Sequence, residues 1–203
     1  MELDHLAVTA ADLATGAAWT EDALGVTLLQ GGQHARYGTH NRLLGLDAGL
    51  YLEVIAPDPT APTPPHPRWF GLDQAGAPTL GNWICRSPDL AADLQDAPKG
   101  TGDPVPLTRG DLAWTIAVPP DGSLPMQGAY PTLIQWTAGA HPSTRLPDSG
   151  LRLTRVEVHH PQAAHIAAML AHKLNDPRVR FIQGDQSKLR AAFATPSGEK
   201  WLG

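Results

Sequence analysis

The first 55 residues alternate between short runs with a two-residue hydrophobic period and one stretch with helical spacing. In residues 3–10 the apolar side chains Leu6 and Val8 fall on one face and His5 falls on the other, which is typical of a β-strand with one buried side. A helix is predicted between Asp12, a good N-cap, and Gly25, which favours the left-handed conformation of a helix end. The same pattern predicts strands at residues 26–30, 41–46 and 50–55, a turn at Asp47, Ala48 and Gly49, and a buried helix face of Leu13, Gly16, Ala17, Thr20 and Leu24.

The opening of the chain recurs weakly at residues 80–90 with a constant offset of 77, so that Asn82 corresponds to His5. A second match aligns Gln135 with Glu53. Internal repeats indicate that an architecture is built from duplicated units. The sequence therefore predicts an α+β fold in which tandem βαβββ units form a curved mixed sheet with a cleft. In such a fold these four polar residues would share one site.

Prolines and helix-capping residues mark the boundaries of the units. A run of six prolines in residues 56–67 cannot join a hydrogen-bonded ladder, so it predicts an extended connector. Ser87 is the predicted N-cap of the second helix, with Pro88 at its first helical position. A third copy of the strand-then-helix pattern places Pro161 in the role of Pro88. The predicted segments are a first βαβββ unit at 1–58, a connector at 59–79, a second βαβββ unit at 80–138, and a partial third βαββ unit at 139–203.

Composition narrows the classes of function. With 203 residues, of which 42% are hydrophobic and 17% charged, the chain can bury a core as one duplicated domain or two small ones. Its formal net charge of −5, without a cluster of Lys or Arg, argues against a nucleic-acid partner. The single cysteine, Cys85, fits a reducing compartment, and the sequence predicts neither an export signal nor a membrane span. We therefore expect a cytoplasmic protein with a small-molecule ligand, and the sequence leaves open whether it forms a homodimer.

His5 and Glu53 are the strongest candidates for catalytic residues. Both are predicted to project from neighbouring strands into the concave side of the sheet, where they could bind a divalent metal ion or act as a general base and its orienting partner. The alternative for an isolated strand histidine is a structural, hydrogen-bonded role. The loop at His141 could fold over the mouth of the cleft or be an ordinary loop. Further candidates for the substrate pocket are His40, Asn41, Tyr51 and Trp83, with core packing favoured for the tryptophan.

Three short segments carry a resemblance to a known superfamily. Residues 3–6, 38–41 and 51–58, in this order and spacing, resemble the glyoxalase-like branch of the vicinal oxygen chelate superfamily, which includes glyoxalase I, extradiol dioxygenases and bleomycin-resistance proteins. The resemblance implies a single divalent ion bound by corresponding positions of both units. In this sequence the implied ligands are His5, Glu53, Asn82 and Gln135. Because Asn and Gln offer only neutral oxygens, we expect such an ion to bind weakly and the protein to purify largely without it.

Two functions follow from this resemblance and stay open at the level of sequence. The first is a lyase, isomerase or dioxygenase in which His5 and Glu53 act around a divalent ion that chelates two adjacent substrate oxygens. The second is a non-catalytic protein that binds or sequesters a small molecule in a cleft whose metal site has degraded, which the neutral pair Asn82 and Gln135 favours. An interaction module without a small ligand is the third alternative, because fold alone does not determine function.

Overall fold

The computed structural model describes residues 1–46 and 49–203, so that Asp47 and Ala48 of the predicted turn lie outside the described residues. Within these ranges the chain forms twelve strands and three α-helices. The helices are α1 (Leu13–Leu24), α2 (Leu90–Gln95) and α3 (Ala163–Leu170). The strands are β1 (Glu2–Thr9), β2 (Leu29–His34), β3 (Thr39–Gly45), β4 (Tyr51–Pro57), β5 (Thr79–Arg86), β6 (Asp103–Arg109), β7 (Leu112–Val118), β8 (Thr132–Ala138), β9 (Arg152–His160), β10 (Val179–Gln183), β11 (Lys188–Thr195) and β12 (Gly198–Leu202).

Two βαβββ units combine into one curved eight-stranded sheet, which confirms the predicted α+β fold. The strand order is β2-β3-β4-β1-β5-β8-β7-β6, so the second unit repeats the order of the first from the opposite edge. Within the units β1 runs parallel to β4 and β5 runs parallel to β8. The units meet at the centre, where β1 pairs antiparallel with β5. The predicted segment limits at 58, 79 and 138 stay a prediction, because the sheet is continuous across the two units.

The local signals around α1 act as the sequence predicts. The Asp12 side chain caps the helix by accepting a hydrogen bond from the backbone N–H of Thr15, and Gly25 ends the helix in the left-handed conformation. The buried face of α1 comprises the five predicted residues. The strand predicted at residues 26–30 is displaced, since β2 begins only at Leu29. The Glu21 carboxylate accepts the backbone N–H of Leu28 and holds the intervening residues as a connector.

The start of α2 corrects a second prediction. Asp89, not Ser87, is the N-cap, because its carboxylate accepts the backbone N–H of Ala92. Ser87 lies two residues before this cap. Its hydroxyl donates to the Asp93 carboxylate and accepts a hydrogen bond from the backbone N–H of Asp89. A capping aspartate three residues before the N–H that it binds is the same geometry that Asp12 has in α1. The second unit therefore reproduces the helix start of the first at the predicted offset of 77 residues.

The C-terminal unit has the element order of a complete βαβββ unit but pairs its strands differently. It forms a separate four-stranded sheet, ordered β10-β9-β11-β12, in which β9 pairs directly with the first strand after its helix. The predicted βαββ unit is extended by a further strand, β12, which pairs with β11. Side chains of this sheet, including Val156, Val158 and Phe193, belong to the same hydrophobic core as Leu6, Val8 and Trp83 of the large sheet. The third unit thus covers the convex side of the eight-stranded sheet.

A second and smaller hydrophobic core lies on the concave side. It contains Ala7, Ile84 and Ile134 from the central strands and Trp114 and Ile116 from β7. Because side chains alternate along a strand, the neighbours of these residues in each strand point to the opposite side and pack in the convex core. The side chains of the concave face line a cavity. Within the described residues no helix combines the length and the apolar character that a membrane crossing requires.

Cys85 is buried in the convex core, and this position leads to a simple prediction. Burial raises the pKa of its thiol well above the ordinary value, so little reactive thiolate forms near neutral pH. We expect the folded protein to react with a disulfide reagent such as Ellman's reagent only slowly, and to react at the rate of a free thiol in denaturant. Fast, complete labelling of the native protein would show that β5 is exposed by local opening.

Candidate functional site

The concave face of the sheet encloses a cavity of about 30 Å³, which is room for about two water molecules. Its polar groups come from His5, Asn41 and Glu53, and also from His34 and Arg109. The remaining wall is largely aromatic or apolar. It is made by Leu43, Tyr51, Trp69, Phe70, Trp114, Ile116, Ile134, Trp136 and Pro142.

A β-bulge in β1 brings Asp4 beside His5. The register between β1 and β5 shifts between Leu3 and His5, so Asp4 is an extra residue that the strand alternation does not place. One Asp4 oxygen lies 2.6 Å from Nδ1 of His5, and the Asp4 side chain is fully buried. Hydrogen bonds from the histidines hold the pKa of Asp4 well below its usual value, despite the opposing effect of burial. The carboxylate can only accept, so Nδ1 of His5 carries a proton, and in the neutral ring it is Nε2 that presents a lone pair to the cavity.

Three more groups converge on the second oxygen of Asp4. The indole Nε1 of Trp136 donates to it at 3.0 Å, Nε2 of His141 lies at 2.9 Å, and Nε of Arg86 lies at 3.8 Å. The His141 loop therefore folds against the site, and its ring also contacts Tyr51 with a centroid distance of 5.7 Å. These contacts fix Asp4 as a permanent hydrogen-bond acceptor for His5.

Glu53 faces His5 across the cavity. Its Oε2 lies 3.8 Å from Nε2 of His5, while its Oε1 accepts a hydrogen bond from the Asn41 amide. Asn41 is itself oriented, because its carbonyl oxygen accepts the backbone N–H of Gly32 at 2.7 Å. The lone pair of His5 and the carboxylate of Glu53 are both acceptors and are too far apart to bond directly. A hydroxyl, a water or an acidic C–H placed between them would face both groups at once.

Tyr51 stacks on the ring of His5 with a centroid distance of 4.4 Å and an interplanar angle of 15°. Burial, with smaller contributions from Asp4 and Glu53, raises the pKa of the Tyr51 hydroxyl well above its usual value. The tyrosine therefore stays neutral and acts as a wall that restricts rotation of the imidazole.

A second chain of hydrogen bonds connects residues of the cavity wall. Arg109 donates from Nη1 to Nε2 of His34 at 3.0 Å, so this nitrogen carries no proton. Nδ1 of His34 donates to the hydroxyl oxygen of Thr39 at 3.1 Å, which also accepts from the indole of Trp69 at 3.3 Å. Burial, assisted by the charge of Arg109, lowers the pKa of His34 to about 3, so His34 is neutral near pH 7.

The segment Trp69–Gln74 forms the remaining wall. Trp69 stacks on Tyr37 and on Phe70, with centroid distances of 4.4 and 4.9 Å. Phe70 has a φ of 59°, a left-handed conformation that is uncommon for a residue other than glycine. Phe70 thus lines the cavity from a strained backbone position.

Four of the predicted site residues lie elsewhere or are already bonded. Gln135 faces the opposite side of β8, where its side chain accepts the backbone N–H of Leu90 and donates to the carbonyl of Pro88. Trp83 is fully buried in the convex core, so its assignment to the pocket is corrected to core packing. His40 alternates with Asn41 on β3 and is not part of the cavity wall. Asn82 is buried and exchanges hydrogen bonds with the Thr132 hydroxyl, at 3.0 and 3.3 Å.

The residues present do not fit a divalent ion held by both units. His5 and Glu53 could supply two donors, but the second unit faces them with Ile134 and Trp136, which supply none. In residues 1–46 and 49–203 no cluster of three or more His, Cys, Asp or Glu side chains could hold a metal ion. A bound metal ion is therefore not part of the reaction that we propose for this site.

Sequence reasoning missed Asp4, His34, Phe70 and Arg109. A polar residue among the apolar positions of β1 was the available signal for Asp4, since a buried carboxylate needs a partner. The pair Gly31 and Gly32 was a signal for the bulge before His34, where the register between β2 and β3 shifts. Arg109 reaches the site only through the meeting of the two units, and no local pattern indicates that.

Comparison with known proteins agrees with this architecture. A family model described as a glyoxalase-like domain matches residues 3–174. The chain belongs to the glyoxalase-like domain family. A search of curated proteins gave no match. The match agrees with the glyoxalase-like resemblance of residues 3–6, 38–41 and 51–58.

Solved structures similar to this chain include a hypothetical protein from Staphylococcus aureus. It is 14% identical, with 92% of this chain and 88% of that chain covered and a TM-score of 0.61. Methylmalonyl-CoA epimerase from Mycobacterium tuberculosis is 21% identical, with 68% and 88% covered and a TM-score of 0.42. A fusion of a xylose isomerase-like TIM barrel with a 4-hydroxyphenylpyruvate dioxygenase is 18% identical, with 97% and 30% covered and a TM-score of 0.41. At these identities the similarity concerns the fold alone.

Proposed function

We propose that this glyoxalase-like protein binds a small carbonyl compound in the concave cavity and catalyses a proton transfer on it, as an isomerase or lyase does. The observation that carries the proposal is the pair His5 and Glu53, with Nε2 and Oε2 3.8 Å apart in an aromatic cavity. Since Asp4 holds the proton on Nδ1, the Nε2 lone pair is available as a general base.

The proposed step is abstraction of a proton from carbon next to a carbonyl. The proton moves to Nε2 of His5, and the electron pair of the C–H bond moves onto the carbonyl oxygen to give an enolate. The imidazolium that forms lies between two carboxylates, Asp4 on one side and Glu53 on the other, and both lower its free energy. Return of the proton to the same or another carbon completes an isomerisation, and loss of a leaving group from the enolate completes an elimination.

The test is exchange of substrate hydrogen with deuterated solvent, followed by NMR for a panel of small 2-oxo and 3-oxo acids. We expect His5→Gln and Glu53→Gln each to lower the rate of exchange by about a hundredfold. Gln135→Ala, which changes a side chain outside the cavity, is the control and should exchange at the wild-type rate. Dialysis against a chelator should leave the wild-type rate unchanged, and a rate that collapses on chelation would restore the metal hypothesis.

A second candidate function is non-catalytic binding of the same class of compound. The apolar and aromatic character of the second unit's wall favours it, because Ile134, Trp114 and Trp136 provide contact area without reactive groups. The test is whether compounds bind to the wild type at micromolar concentration without exchanging hydrogen. If His5→Gln binds the same compounds with unchanged affinity, the result would support binding and contradict catalysis.

A further inference from the structure

The geometry points to Arg109 as the binding site for a carboxylate of the ligand, which makes the ligand class a small planar 2-oxo or enol acid. This inference rests on the proposed cavity and names the substrate class for it. The guanidinium reaches the cavity wall from the end of β6 in the second unit, whereas His5 and Glu53 belong to the first.

The side chain of Arg109 is held in place by close packing against β2. A Cβ placed on Gly32 would lie 2.9 Å from Cδ of Arg109, so the arginine stem lies directly over the glycine backbone of β2. Gly31 and Gly32 occupy the bulge between β2 and β3, and the backbone N–H of Gly32 also orients Asn41. The bulge therefore positions both the side chain of Arg109 and the Asn41 amide, which donates a hydrogen bond to Glu53.

The charge of Arg109 has no carboxylate partner among the ion pairs of residues 1–46 and 49–203. The acid nearest to it in sequence, Asp111, is instead bonded by both terminal nitrogens of Arg145. Arg109 donates to His34, which is neutral and removes none of the positive charge. Glu53 lines the same cavity, but its two oxygens are directed at His5 and Asn41 and form no ion pair with Arg109 in the described residues. The guanidinium lies in the cavity wall and is only partly exposed to solvent, so it favours an anionic ligand as its partner.

The shape of the surrounding groups selects the kind of anion. A guanidinium pairs with a carboxylate through two parallel hydrogen bonds, which fixes the carboxylate plane. The rings of Trp69, Trp114 and Trp136 line the same cavity and present flat faces or edges to a planar group. The small cavity limits the compound to a few heavy atoms unless the segment at Phe70 moves. A carboxylate conjugated with a carbonyl or enol satisfies each of these conditions.

Arg109 would also act on the reaction. An enolate formed next to a carboxylate carries additional negative charge, and a guanidinium bonded to that carboxylate lowers its free energy. The second unit thereby supplies, with a fixed side chain, the positive charge that a metal ion would otherwise provide at such a centre.

The experiment compares two probes by calorimetric titration: pyruvate and methyl pyruvate, which differ in charge but keep the same ketone and stay within a few heavy atoms. We expect the wild type to bind the acid at least tenfold more tightly than the ester. Arg109→Gln should abolish this preference by weakening only the acid, Arg109→Lys should keep part of it, and Arg190→Gln on the C-terminal sheet should change neither affinity. A thermal melt establishes that each variant is folded.

Equal affinities of the wild type for acid and ester, or no binding of either, would overturn the inference. So would an Arg109→Gln variant that is folded and loses acid and ester equally. Because the readout is binding, the inference is separate from the proton-transfer proposal. A wild type that prefers the acid through Arg109 but exchanges no hydrogen would refute catalysis and leave the anion site in place.

Discussion

Replacing Asp4 by asparagine is expected to lower the free energy of unfolding at pH 7 by about 3 kcal/mol. The fully buried carboxylate accepts from His5 on one oxygen and from Trp136 and His141 on the other. An amide can accept on only one of these two positions, so at least one buried donor loses its partner. Urea unfolding of both proteins at pH 7 measures the difference, and a change below about 1 kcal/mol would show that these bonds contribute little.

The same variant should change how stability depends on pH. The pKa of Asp4 is lower in the folded protein than in the unfolded chain, so its contribution to stability is fully present above the unfolded value of about 4. It is lost as the pH falls through that value toward the folded pKa. Between pH 5 and the lowest accessible pH, the difference between wild type and Asp4→Asn should therefore shrink.

Asp148 is the matched control for this pH dependence. Its pKa is also lowered strongly, through hydrogen bonds from Arg152, but the carboxylate is exposed. Solvent screens such a surface pair, so Asp148→Asn should unfold almost like the wild type at every pH. If the two substitutions changed the free energy of unfolding equally, burial would not be the reason for the large contribution of Asp4 to stability.

Replacing Trp83 by alanine is expected to lower the free energy of unfolding by about 4 kcal/mol while leaving ligand affinity unchanged. Trp83 is fully buried, its indole donates to the carbonyl of Gly128 at 3.2 Å, and its ring lies 6.1 Å from that of Phe181 in the C-terminal unit. Removing it opens a cavity where the large sheet meets the third unit. Urea unfolding measures the loss, and titration with the two probes measures affinity.

Trp136→Ala is the reciprocal variant. Trp136 is only partly buried and lines the cavity, so its loss should weaken ligand binding more than it weakens the fold. A Trp83 variant that folds but loses affinity, with a Trp136 variant that keeps it, would contradict the assignment of the two faces of the sheet.

The fold could be predicted largely because its signals are local. The two-residue and helical periods, the Asp12 cap and the left-handed Gly25 each depend on a few neighbouring residues. Pairing in the third unit could not be predicted in this way, since strands with the same element order pair differently there. The choice between two pairings depends on which surface the unit covers.

The site was harder to predict because a shift of one residue reverses the face of a strand. His5 and Glu53 lie on the predicted face, but aligning Glu53 with Gln135 placed the wrong face of β8 toward the cavity, where Ile134 and Trp136 project. The offset of 77 at the first strand and the offset of 82 at the fourth come from separate matches, and the second match is the misaligned one. Asp4 was not predicted for a related reason: at a bulge, the side chains of a strand no longer alternate between its two faces.

The bonds that Asp4 makes with distant parts of the chain impose an order on the appearance of function during synthesis. Trp136 and His141 follow Asp4 by 132 and 137 residues. His5 is thus synthesised well before Trp136 and His141, yet its imidazole is fully held only when the second unit and the loop after β8 have docked. Long-range contacts of this kind form late in folding. A nascent or truncated chain that ends before residue 136 would carry His5 and Asp4 without the partners that orient them, so the geometry of the site appears only in the assembled protein.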